Sequence, residues 1–151
     1  FNTSLPYKGF ELSANFTYAF GYYIMNSSRW YLDNHNFNGN KPAYMLDMWR
    51  QPGDVTTVPR FDAKNNPSPW ASQFLEDASF LKLKTLRLAY TPSRKLLDKL
   101  KVVKSMTVFC QGENLATFTS YSGQDPEVSG SIDYMSYPLP VNVTFGVNLN
   151  F

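Results

Sequence analysis

The sequence predicts an all-β chain of antiparallel strands, each with one apolar face, joined by alternately short and long connections. The plainest observation is the run from Val141 to Phe151. Val141, Val143, Phe145, Val147, Leu149 and Phe151 are apolar, and the residues between them (Asn142, Thr144, Gly146, Asn148 and Asn150) are polar or glycine. Side chains alternate sides along a strand, so this run has one greasy face and one wet face. A second observation is composition. Aromatic residues are 17% of the chain and are mostly Phe and Tyr, the types that suit β-surfaces and membrane interfaces. The closing run also has the length a tilted strand needs to cross a bilayer, about 9–11 residues. A soluble sheet covering a core would show the same alternation, so the pattern alone leaves water and lipid both open.

Taken in order, residues 1–6 read as the end of one strand entering a tight turn at Tyr7-Lys8-Gly9. Residues 9–25 read as the longest strand, with Phe10, Leu12, Ala14, Phe16, Tyr18, Phe20, Tyr22 and Ile24 on one face. At about 3.3 Å per residue such a strand would overshoot the apolar band of a barrel, roughly 25 Å, and project beyond it. Residues 26–78 lose the alternation and hold Gly39, Pro42, Pro52, Gly53, Pro59, Pro67 and Pro69, so they read as loop. Only Tyr44 to Arg50 suggests a short helix there. Loops beyond roughly 12–15 residues are uncommon in compact domains and usually functional.

Residues 79–91 form another strand, whose apolar phase slips from Leu81 and Leu83 to Leu86, Leu88 and Tyr90. One extra residue near Lys84-Thr85, a β-bulge, accounts for the slip. Beyond Pro92, Ser93 can cap a short helix with Leu96, Leu97 and Leu100 on one side and Arg94, Lys95, Lys99 and Lys101 around the rest. A strand over 105–118, a second loop over 120–138 and a closing strand over 139–151 complete the chain. Short and long connections therefore alternate, as in a meander crossing a membrane with short turns on one side and long loops outside.

Several functions are excluded. The net charge of +2 is too small to imply a nucleic-acid partner. Charged residues are 17%, against roughly 25% in typical soluble domains. The single cysteine, Cys110, permits no internal disulfide or zinc knuckle and reads as a small hydrophobe. No run of about 18 apolar residues exists, so no transmembrane helix is expected. No secretory signal precedes Phe1, and a chain opening Phe-Asn-Thr reads as a mature or truncated piece. No phosphate loop, nucleophile elbow or zinc motif occurs, so neither an enzyme nor a cofactor is expected.

Particular motifs go further. Phe80-Leu81-Lys82-Leu83-Lys84 with Leu88-Ala89-Tyr90-Thr91-Pro92, then Gln111-Gly112-Glu113-Asn114-Leu115, Thr119-Ser120-Tyr121-Ser122-Gly123 and Asp125-Pro126-Glu127, resemble the SusC/RagA family of TonB-dependent outer-membrane transporters. Tyr137-Pro138-Leu139-Pro140, Thr144-Phe145-Gly146 and Phe151 resemble that family's ending. Glu113 and Ala89 depart from the commoner Gln and Gly. The resemblance covers residues 80–151 well and 7–25 loosely. It implies the C-terminal strands of a 22-stranded antiparallel transmembrane β-barrel with extracellular loops at 26–78 and 120–138, the plug domain and the TonB-contacting part lying outside residues 1–151. It also implies a bacterial outer-membrane location, a SusD-like lipoprotein as lid, and oligosaccharide or oligopeptide as cargo. Phe145, Val147, Leu149 and Phe151 resemble the signal read by barrel-assembly machinery.

Candidate contacts for cargo or lid are the loop aromatics Trp30, Tyr31, Tyr44, Trp49 and Trp70, whose flat faces suit sugar rings but could equally pack the loop. Asp125 and Glu127 could hold a cation, although Asp-Pro more readily shapes a turn. His35 has no partner at metal-ligand spacing. The basic residues between Lys82 and Lys104 suit a solvated turn, or anionic head groups or cargo. The alternative reading is a secreted, soluble all-β carbohydrate-binding module with the aromatic loop as its platform.

Overall fold

The computed structural model describes residues 1–62, 66–98 and 102–151. It divides into two compact units, one of residues 1–20, 79–119 and 138–151, the other of residues 21–78 and 120–137.

The first unit is one antiparallel sheet. Its strands are β1 (Asn2–Tyr7), β2 (Phe10–Ala19), β5 (Phe80–Tyr90), β6 (Ser105–Thr119) and β8 (Asn142–Asn150), in the order β1-β2-β5-β6-β8. β1 and β2 join through Lys8 and Gly9, with φ of 47° and 89°. Positive φ at both central residues matches the hairpin turn to the twist of the strands. A side chain at Gly9 would also meet the Thr91 carbonyl oxygen at 2.7 Å.

The register sorts residues onto faces. Leu5, Leu12, Leu88, Cys110 and Phe145 lie in one row across all five strands, and Tyr7, Phe10, Tyr90, Val108 and Val147 in the next. Rows one residue along carry Ser4, Ser13, Arg87, Gln111 and Thr144. One face is thus mainly apolar, with Thr3 in one of its rows, and the other holds most of the polar side chains together with Pro6, Ala89 and Phe109. The register skips Lys84 against both neighbours of β5, passing from Leu83 to Thr85. This bulge puts Leu81 and Leu83 on the same face as Leu86, Leu88 and Tyr90. The apolar face is exposed, with Phe145 at 78% and Phe118 at 64%.

The second unit corrects the reading of 26–78 and 120–138 as plain loops. It contains β3 (Tyr23–Asn26), α1 (Ser27–Asp33), β4 (Leu75–Asp77) and β7 (Ile132–Asp133), with the sheet order β4-β3-β7. β3 is antiparallel to β4 and parallel to β7. Ile24, Ala78 and Tyr121 form its buried core, flanked by Tyr22 and Val128.

The expected strand over 9–25 is therefore two strands in two sheets. Gly21 has φ of 73°, a left-handed conformation that ends the extended ladder. The alternation continues through Tyr22 and Ile24 because Ile24 points into the core of the second unit, not because β2 continues. The short helix expected over Tyr44–Arg50 is a 3₁₀ helix over Ala43–Asp47, and it stops sooner because Met48 leaves in an extended conformation. The helix after Ser93 is α2 (Arg94–Leu97), with Leu97 buried. Lys99, Leu100 and Lys101, expected to extend it, lie outside the described residues.

Candidate functional site

The second unit holds the candidate site, and a polar hub gives it shape. Asn26 caps α1, its Oδ1 accepting from the Arg29 amide at 2.9 Å. Its Nδ2 donates to Glu76 Oε1 at 3.3 Å and Ser122 Oγ at 3.0 Å. Arg29 Nη1 donates to Glu76 Oε1 at 3.2 Å. The Ser122 hydroxyl and amide donate to the two Glu76 oxygens, each at 2.9 Å. One carboxylate on β4 thus fastens α1 to the second connection. Burial pushes the Glu76 pKa up, but the Ser122 bonds and Arg29 outweigh it and hold the carboxyl below its ordinary value.

Two further pairs stiffen the frame. The Tyr121 hydroxyl donates to Asp133 Oδ2 at 2.8 Å, and the Ser136 amide to Asp133 Oδ1 at 2.9 Å. Tyr44 donates to Asp33. Burial first, then that bond, pushes the Tyr44 phenol up to about 12.

Two cavities lie beside α1. The first, about 300 Å³, is lined by Trp30, Tyr31, Pro69, Trp70, Ile132 and Tyr134, with Ser27 and Met135. Trp30 is fixed by its indole N–H, which donates to the Pro67 carbonyl at 2.9 Å, and Tyr31 packs on Phe37 with ring centroids 4.3 Å apart. Trp70 is 66% exposed. The second cavity, about 510 Å³, is more polar and includes Arg29, Tyr44, Ser122, Gly123, Gln124 and Met135. The structure therefore brings Trp30, Tyr31 and Trp70 together, puts Tyr44 in the adjoining cavity, and gives Trp49 a place in neither. The Trp49 amide instead donates to the Val58 carbonyl at 3.0 Å. Ile132 and Met135 were not legible as lining residues, because nothing local marks them. Met135 has φ of 61°, in the left-handed region, and it lines both cavities.

The other singled-out residues have structural employment. Asp125 Oδ1 accepts from the Glu127 amide at 2.8 Å, the bond of an Asx turn. Pro126 between them is fully buried. Among the described residues no three His, Cys, Asp or Glu side chains gather as a metal site. His35 Nδ1 accepts from the Asp62 amide at 2.9 Å, and its ring packs on Phe61. The basic stretch is not one solvated turn. Lys82 is buried beside the Phe80 ring, and the Arg87 guanidinium lies over the Phe109 ring at 4.7 Å, both on the polar face of β5. Phe145, Val147 and Leu149 stand on the exposed apolar face. Phe151 follows β8, its carbonyl accepting from Lys104 Nζ at 3.0 Å.

No protein-family profile matches the chain. Known proteins do. The chain is 29% identical to TonB-dependent receptor P3 of Formosa agariphila and 32% identical to its TonB-dependent receptor P26; each alignment takes in all of this chain and 16% of the receptor. Solved structures of the RagAB peptide transporter and of the RagAB peptide importer in the "open-open" state match it at TM-scores of 0.89 and 0.87. Both are 31% identical over 99% of this chain, which is 17% and 16% of those chains. This chain is homologous to a segment of the TonB-dependent receptors. It spans about 16% of their length. TonB-dependent receptors reside in the bacterial outer membrane and are transporters rather than enzymes. That homology replaces the soluble, secreted carbohydrate-binding module as the reading of the apolar strands.

Proposed function

We propose that this chain is the C-terminal barrel segment of a 22-stranded TonB-dependent receptor that imports oligosaccharide or oligopeptide together with a SusD-like lipoprotein. The apolar face of the five-stranded sheet contacts lipid, and the polar face lines the barrel interior. The short connections lie on the periplasmic side, and the second unit forms the extracellular loops. The observation that carries the reading is the predominantly apolar face shared row by row across β1, β2, β5, β6 and β8, in a chain homologous throughout to an outer-membrane receptor segment. Left in water, each such side chain would forgo roughly 1.5–3 kcal/mol of burial.

The face also has the lengthwise grading of a barrel exterior. Tyr7, Phe10 and Tyr90 stand near one end and Tyr18, Phe20 and Phe118 near the other, with the aliphatic Leu12, Ala14, Leu86, Leu88 and Val143 between them alongside Phe16 and Phe145. Aromatic residues flank the apolar band of outer-membrane barrels in this way. Phe145, Val147, Leu149 and Phe151 would serve the assembly machinery, and other segments of such a receptor would supply the plug and the TonB contact.

Peptide cargo is supported by the likeness to a peptide importer, and sugar by the exposed Trp70 above an aromatic cavity. The whole receptor settles this in cells. Labelled oligopeptides and oligosaccharides are offered to cells producing the wild type or a Trp30→Ala/Trp70→Ala double variant, with outer-membrane fractionation confirming insertion. Uptake of one class is expected to fall about tenfold in the variant, the scale of losing roughly 1.4 kcal/mol of stacking. Recovery of the receptor in the soluble fraction would sink the whole reading; unaltered uptake would sink the cavity's role.

A further inference from the structure

We infer that the short-connection end of the sheet is an anionic-phospholipid contact, in which Lys8, Arg94 and Lys95 bind headgroup phosphates. The inference rests on the lipid-facing reading above and adds to it a particular lipid chemistry at a particular rim.

The strands gather cations at this one end. The β1–β2 turn and the β5–β6 connection meet there, with the Thr91 amide donating to the Gly9 carbonyl at 2.8 Å. β8 finishes at the same end, where the Lys104 amide donates to the Asn150 carbonyl at 2.7 Å. Lys8, Arg94, Lys95 and Lys104 are all exposed, and Asp98 is the only acid among the described residues of the β5–β6 connection. Lys104 is engaged with the Phe151 carbonyl, whereas among the described residues no ion pair holds Lys8, Arg94 or Lys95. The opposite end of the sheet differs. There the strand ends at residues 17–20, 116–119 and 138–142 carry no charge, and Lys82 is buried on the polar face.

The cations sit directly beyond apolar surface. Tyr7 is 68% exposed and Leu96 on α2 is 54% exposed. The Lys8 ammonium lies 5.3 Å from the centre of the Tyr7 ring. Aromatic and aliphatic groups at the acyl boundary, with Lys and Arg heads just outside it, form the arrangement that meets a charged lipid surface. A solvated turn needs the cations but gives no reason for Leu96 and Tyr7 to be bare beside them. Each Lys or Arg near an anionic leaflet raises its affinity about fivefold, so three together make the contact selective.

The test uses the whole receptor reconstituted into nanodiscs of phosphatidylcholine with a minor fraction of phosphatidylglycerol. Spin-labelled lipids report which species is enriched at the protein. The wild type should enrich phosphatidylglycerol several-fold at low salt and lose most of that enrichment at about 1 M salt, where the Debye length falls to roughly 3 Å. A Lys8→Asn/Arg94→Gln/Lys95→Gln variant should lose it at low salt while keeping heat-modifiable migration on gels, which reports an intact barrel. Asn tolerates the left-handed turn position, so Lys8→Asn spares the hairpin. Equal enrichment in the variant would overturn the inference, as would enrichment in the wild type that ignores salt; the salt arm decides even if the variant misfolds. A receptor that never inserts would instead overturn the lipid-facing reading.

Discussion

Single residues in the second unit act by holding distant segments together. Glu76 accepts from Asn26, Arg29 and Ser122, each 46 to 50 residues from it in sequence. Glu76→Ala would remove the acceptor that all three share in a half-buried site, a loss of about 1–3 kcal/mol. Hydrogen exchange should therefore quicken in α1 and around Ser122 while β6 and β8 stay protected. The pH dependence follows in sign. The folded carboxyl lies below its unfolded value, so its contribution is complete above the unfolded pKa and disappears as pH falls through the folded one. Acidification should open this unit in the wild type, and Glu76→Gln should flatten that response; a response unchanged in the variant assigns the acid sensitivity elsewhere. In the sheet, Gly146 faces the Phe109 ring, which an added Cβ would meet at 2.3 Å. Gly146→Val should loosen β8 from β6, read as a lower unfolding midpoint and a weaker heat-modifiable band.

At the scale of the element, β5 depends on one residue. Without Lys84, Leu81 and Leu83 could not share a face with Leu86, Leu88 and Tyr90, because a shift of one residue reverses every side chain. Deleting Lys84 should put one half of the strand's leucines on the polar face and prevent assembly into the outer membrane. Lys84→Ala, which keeps the extra residue, should assemble normally. The bulge was legible in the sequence because the phase slip is local. The end of β2 was not. Alternation through Tyr22 and Ile24 records only that one face is buried or greasy, and Gly21, whose φ turns the chain away, reads in sequence as one more small residue on the polar side.

Across the whole sheet, the two faces predict opposite tolerance to charge. Leu86→Arg would place a cation among hydrocarbon tails, at a cost of about 2–4 kcal/mol near the midplane. Thr144→Arg, one register row away on the polar face, should leave stability near the wild type. Urea titration of the parent receptor in bilayers separates them, and equal costs would contradict the assignment of faces. Aromatic crowding at both ends of the face is a property of the assembled sheet, and no one strand displays it.

The amino-acid order alone determined which residues alternate, where β5 changes phase and where turns fall, since each depends on neighbours a few positions apart. It also carried the family motifs at Asp125-Pro126-Glu127 and Tyr137-Pro138-Leu139-Pro140. Only the tertiary structure decided that the two long connections form a folded unit with its own sheet, and that Trp30 and Trp70 share a cavity with Ile132 and Met135 while Trp49 does not. Those contacts join residues far apart along the chain, chosen by the closure of β3 on β4 and β7 and by the Glu76 hub, and no local pattern records which distant segments will meet.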